Sequence, residues 1–179
     1  MAQRFPKLTP EEMTAAQREV AAQIAAGPRG EVRGPFIALI HNPELASKVQ
    51  RLGEQLRWKG KLPPKLKELA VLVTARRWSC DYEWRMHEPI ARKAGLEDEI
   101  IAAISRGAQP QGLSAEQSAV YAFCRQAHHD GRVEDAVFDA VKASFGLDGA
   151  LELLCLCGYY SLMAMVLNTA GSPEKSSPA

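Results

Sequence analysis

An excess of charge of either sign is the first thing this sequence lacks. Its 22 basic residues face 21 acidic ones, a formal net charge of +1 over 179 residues. That balance gives no electrostatic case for a nucleic-acid partner or an anionic membrane. Strand-like patterning is missing as well: nowhere do apolar and polar residues alternate cleanly for more than a few positions. There is no repeat at a solenoid period, and the only low-complexity stretch is the terminal SPEKSSPA. Cysteine is scarce, with thiols only at 80, 124, 155 and 157. Cys155 and Cys157 sit in a strongly apolar run and read as core residues in a reducing compartment. The opening MAQRFPKLTPEEM has no apolar signal region, so no secretion signal is read there and a cytoplasmic location is expected.

What is present is helical punctuation. A single all-α domain over residues 1–172 is expected, followed by a disordered tail at 173–179. Thr9-Pro10-Glu11-Glu12 reads as the start of a first helix that Gly27-Pro28 stops. Asn42-Pro43-Glu44 starts a second, with Leu45, Val49, Leu52 and Leu56 on one face, and Pro63-Pro64 opens a third. That helix should end near Trp78, with Ser79 or Asp81 capping the next. A kink or short break is expected at Pro89. A short helix follows from Leu96-Glu97-Asp98, and Ser114-Ala115-Glu116-Gln117 is a capping box for another. Val133 to Phe145 is helical, Gly146 stops it, and a last long helix reaches Thr169. From Leu153 to Pro173 no side chain is charged, about the length of a membrane span. Its tyrosines, Asn168 and Thr169, with no flanking Lys/Arg cluster, favour a helix buried by the core or by a subunit interface.

The chemistry concentrates in ELAVLVTARRWSCDYEWRMH, Glu68 to His87. Steps of three and four put Cys80, Glu83 and His87 on one helical face. Glu68 shares the buried stripe of Leu72 and Ala75, and an acid on an apolar stripe needs a partner, for which the His/Cys cluster is the obvious candidate. At the start of a helix a Cys80 thiolate is favoured by the macrodipole, and a protonated His87 adds to that. Glu83 one turn from His87 can fix its tautomer and make it a better base. Each reading has a structural counterpart. Cys80 can be a core thiol, Glu83–His87 a surface pair, and Glu68 an acid paired with Arg57, Arg76 or Arg77. Arg76 and Arg77 precede the cluster, where a carboxylated substrate would want a guanidinium. His41, in FIALIHNP, is a lesser candidate for the same pocket, and the pair His128-His129 reads as a structural helix end. No metal is expected, because E-x3-H is not the di-metal helix spacing E-x2-H.

The order Glu68, eleven residues, Cys80, two residues, Glu83, three residues, His87 resembles the core motif of the carboxymuconolactone decarboxylase and alkylhydroperoxidase D superfamily. Its peroxidase branch has E-x11-C-x2-C-x3-H, with both cysteines redox-active. Glu83 stands where that second cysteine would be, and C-x-YEW-x2-H looks more like the decarboxylase-like branch. FIALIHNPELA (Phe36 to Ala46) and GYYSLMAMVLNTAG (Gly158 to Gly171) resemble that branch too. The resemblance implies a helical bundle of the alkylhydroperoxidase D-like type and obligate homo-oligomers, commonly trimers or hexamers. It implies a lyase that handles a small carboxylated or lactone-like molecule by acid–base chemistry without a cofactor. Glu68, Cys80, Glu83 and His87 would be its catalytic group, with Tyr82, Arg76, Trp84 and His41 against the substrate. The alternative is a thiol peroxidase that attacks with Cys80 and uses an external thiol as resolver, and a third reading is a non-catalytic small-molecule-binding oligomer.

Overall fold

The computed structural model describes residues 4–171, so the expected tail at 173–179 lies outside the described residues. All regular structure among them is helical: α1 (Ala15–Ala26), α2 (Pro35–Leu39), α3 (Pro43–Glu54), α4 (Pro64–Arg77), α5 (Asp81–Lys93), α6 (Asp98–Ser105), α7 (Ala115–His129) and α8 (Asp135–Ala170). A π-helical turn, Gln55–Lys59, extends α3. The chain divides into two compact units, one of Met1–Trp58 with Met163–Ala179 and the other of Lys59–Leu162.

In the first unit α1 and α2 each pack on α3. The first helix begins at Ala15, not after Thr9. Thr14 and Gln17 form a reciprocal capping box there, whereas Thr9 to Met13 makes only a turn, in which Glu12 Oε2 accepts from the Thr9 amide at 2.7 Å. Asn42 caps α3 as expected, its side chain accepting from the Leu45 amide at 3.1 Å. Of the expected stripe, Val49 and Leu56 are buried and the other two positions are not. Ala46, Val49, Gln50 and Gly53 are buried, while Leu45 and Leu52 are exposed.

The second unit is built around α4, which packs against α5, α6 and α7. From Leu66 to Ala75 every residue except Glu68 is buried, the pattern of a helix apolar on all sides. Leu69 and Leu72 are fully enclosed, and each such side chain contributes roughly 1.5–3 kcal/mol by leaving water. The start of α4 is fixed from α8. The Glu152 carboxylate accepts from the Lys61 and Leu62 amides at 2.7 and 3.3 Å, and Lys61 pairs with Asp148. Proline 89 leaves α5 unbroken as a helical segment, since it removes one amide donor without ending the run. Gly146 adopts φ 74°, ψ 177° and divides α8 into the two helices expected. Alone among the helices, α8 is long and apolar enough to cross a membrane, yet half of its most apolar stretch is buried.

Candidate active site

Glu68, Cys80, Glu83 and His87 all belong to the second unit. The turn between α4 and α5 sets their relation. Cys80 N–H donates to the Ala75 carbonyl at 2.9 Å and Ser79 N–H to the Arg76 carbonyl at 3.1 Å. This is a Schellman closure, with Ser79 at φ 47° in the left-handed position that glycine usually takes. It ends α4 abruptly and makes Cys80 the N-cap of α5. On α5, Tyr82, Glu83, His87 and Ala91 are buried, so the helix's inner face carries the carboxylate and the imidazole inward, and α5 packs on α4.

There the single acid on the buried run of α4 meets its partner. His87 Nδ1 lies 2.7 Å from Glu68 Oε2, with side chains only 4% and 12% exposed. A carboxylate accepts, so Nδ1 carries the proton of that bond and Nε2 is the free basic nitrogen of the neutral ring. Glu83 Oε2 is 3.4 Å from Nε2. A further group completes the shell: the Tyr160 hydroxyl is 3.2 Å from Nε2. Its ring meets the imidazole edge-on at 5.0 Å, and Tyr159 stacks edge-on against Tyr160 at 5.5 Å. The orienting bond is therefore Glu68's, with Glu83 and Tyr160 sharing the opposite edge of the ring. Tyr160 escaped notice in the sequence. A tyrosine inside an apolar run was the available signal, because a buried phenol needs a polar partner.

Cys80 does not have the expected activation. Burial, the largest influence, pushes its thiol from an ordinary 9.0 up to about 11, and the charges of Glu83 and Asp81 add to the rise. The amides of Glu83 and Tyr82 at the helix start act the other way without prevailing. Desolvation outweighs the helix end because Cys80 is only 2% exposed. Among the described residues no hydrogen bond joins its sulfur to His87.

The candidate substrate contacts scatter. Tyr82 is buried on the inner face of α5. Trp84 donates its indole N–H to Glu88 at 3.0 Å. Arg76 lines a cleft of about 380 Å³ with Arg77, Tyr121, Arg125, His128 and His129, and His87 is not among that cleft's lining. His41 lies in the first unit, where its Nε2 is 2.9 Å from the Pro6 carbonyl and Phe5 packs on its ring. No group of three or more His, Cys, Asp or Glu side chains among the described residues is placed to hold a metal ion.

Residues 43–126, which contain Glu68, Cys80, Glu83 and His87, match the Carboxymuconolactone decarboxylase family. The fold is that of a solved relative, described as alkylhydroperoxidase AhpD core, an uncharacterized peroxidase-related protein from Ralstonia eutropha JMP134. The two superpose with a TM-score of 0.75 at 20% identity, covering 93% of this chain and 88% of that one. None of the curated proteins matches. The family match spans less than half of the chain, and the structural likeness shows a shared fold over 93% of it.

Proposed function

We propose that this chain is a carboxymuconolactone decarboxylase-like lyase that works by acid–base chemistry on a small carboxylated or lactone-like molecule. The observation that carries the reading is the buried imidazole of His87, fixed through Nδ1 by Glu68 and presenting Nε2 to Tyr160 and Glu83. An unsaturated lactone carbonyl can accept the electrons released with carbon dioxide, so the protein needs only to stabilise the enolate and deliver a proton to carbon. Protonated on Nε2 from solvent before each turnover, the imidazolium delivers that proton and returns to the neutral ring. Glu68 steadies the ring and the imidazolium formed in the cycle, while Tyr160 supplies a neutral donor beside the same nitrogen. Decarboxylation of carboxymuconolactone, followed by carbon dioxide release, tests this. His87→Asn and Glu68→Gln should each lower kcat/KM by about a hundredfold or more. An unchanged rate in His87→Asn, or no turnover of any carboxylated lactone by the natural protein, would defeat the reading. The Cys80 peroxidase reading is weakened by the burial that keeps its thiol protonated.

The partner we propose is a further copy of this chain, in a trimer or hexamer as the superfamily suggests. Leu147, Leu151, Leu154 and Leu162 are 63%, 61%, 47% and 40% exposed. Their spacing puts them on one side of α8, an apolar stripe of the kind that marks an interface. Sedimentation velocity should give a mass several times 19.6 kDa, and Leu151→Glu should shift it toward one chain. A natural protein sedimenting as a single chain at micromolar concentration rules this out.

A further inference from the structure

Three helices of the second unit end around one cleft that His87 does not line. Arg76 and Arg77 close α4, Gly107 and Ala108 follow α6, and His128 and His129 close α7; all six line it. Arg125, one turn before His129, adds a third guanidinium. Cations at helix ends have an ordinary explanation, because a C-terminus attracts positive charge. That attraction does not account for all the charge here. Each end carries about half a negative charge, so three ends fall well short of offsetting three guanidiniums. No carboxylate lines the cleft, and among the described residues none of the three arginines forms an ion pair. Asp130, in the adjoining hollow, is held by His129 Nδ1 at 2.8 Å.

The three guanidiniums are nevertheless steadied, each by an uncharged surface. Arg76 Nη2 lies 3.7 Å from where a β-carbon would stand on Gly107. Arg77 sits 5.7 Å from the centre of the Trp78 ring, and Arg125 6.0 Å from that of Tyr121. Contact with a ring face positions a guanidinium and leaves the N–H donors at its edge available to a ligand. Val73, Ile104 and Tyr121, all buried, give the same cleft an apolar lining. Its volume of about 380 Å³ suits a small organic molecule.

We infer that this cleft binds a small phosphate monoester, with its phosphate among the guanidiniums and its organic body against Val73, Ile104 and Tyr121. A carboxylate has two oxygens in one plane, and a single guanidinium fork satisfies it. Three forks carried on two helices, with imidazoles beside them, offer donors from several directions. The three terminal oxygens of a phosphate can accept from all of them. Its nearly two negative charges at neutral pH also answer three cations better than one charge does. Nothing here depends on the chemistry proposed for His87, which does not line the cleft.

Phenyl phosphate titrated calorimetrically into the natural full chain at low ionic strength tests the assignment. The expected dissociation constant lies below about 1 mM. Inorganic phosphate lacks the organic body, and benzoate lacks the third oxygen and the second charge. Each should bind about tenfold more weakly or worse. Arg76→Gln and Arg125→Gln should each weaken phenyl phosphate by about tenfold, the usual cost of a hydrogen bond to a charged group. Arg132→Gln, at an exposed position outside the cleft, should leave its affinity unchanged. Phenylglyoxal locates the site without any substitution: phenyl phosphate should protect Arg76, Arg77 and Arg125 from it, read by peptide mapping, and leave Arg132 reactive. No heat of binding, inorganic phosphate or benzoate bound as tightly as phenyl phosphate, or protection that misses these three arginines overturns the proposal. Because the protection is read on the natural protein, a variant that fails to fold does not leave the question open.

Discussion

Replacing His87 by Ala is expected to destabilise the protein by about 3 kcal/mol or more, the combined cost of a large-to-small change in the core and of leaving a buried acid without its hydrogen-bond donor. The imidazole is the common neighbour of two carboxylates with little access to water, Glu68 at 2.7 Å and Glu83 at 3.4 Å, whose side chains are 12% and 6% exposed. Without it both acids face each other across a cavity, and the Tyr160 hydroxyl loses its bond to Nε2. The lost packing of the ring against Tyr160 adds to this. Urea unfolding at neutral pH measures the difference directly. His87→Gln is the informative companion, because its amide can still donate to Glu68 and should recover part of the loss. A His87→Ala protein that unfolds within about 0.5 kcal/mol of the natural one, the range of an ordinary surface change, would mean that the two acids are hydrated and the cluster is not enclosed.

Much of the fold was legible because local signals settled it. Asn42, Pro64, the Ser114 capping box and Gly146 each mark a helix boundary where the structure has one. The first helix was misread because Thr9-Pro10-Glu11 and Thr14-Ala-Ala-Gln17 are both cap signals, and only the second is followed by buried residues at helical spacing, Gln17, Val20 and Ile24. Half of the inner face of α3 follows the apolar pattern, Val49 and Leu56, while Leu45 and Leu52 turn outward and Ala46, Gln50 and Gly53 are buried instead. At the site, the pairing of Glu68 with His87 followed from sequence logic, since an acid on a wholly buried helix had to find a partner. Tyr160 did not, because it lies 73 residues from His87 and joins it only when α8 packs in. The state of Cys80 was misjudged for a related reason. Its place at a helix start is a local property that the sequence displays, and its enclosure is a tertiary property that the sequence does not.

That enclosure makes the second large prediction. Alkylation of Cys80 by iodoacetamide at neutral pH should run about a hundredfold slower than for a thiol of ordinary acidity, because only the thiolate reacts and a thiol at about 11 is ionised that much less than one at 9.0. The rate should climb about tenfold for each pH unit up to roughly pH 11, past the point where an ordinary thiol has levelled off. The direction for stability follows from the same comparison. The folded thiol holds its proton more tightly than the unfolded one, so this contribution to stability is whole below pH 9 and fades as the pH rises toward 11. Free N-acetylcysteine in the same tube is the comparison, and mass spectrometry of timed samples follows both thiols. If Cys80 were labelled at neutral pH as fast as N-acetylcysteine, its thiolate would be stabilised after all by the amides that begin α5. A nucleophilic role for the sulfur would then have to be restored beside the acid–base role proposed for His87. If labelling is slow and rises with pH as described, Cys80 is a neutral wall of the cluster, and the proposed chemistry falls to the imidazole of His87.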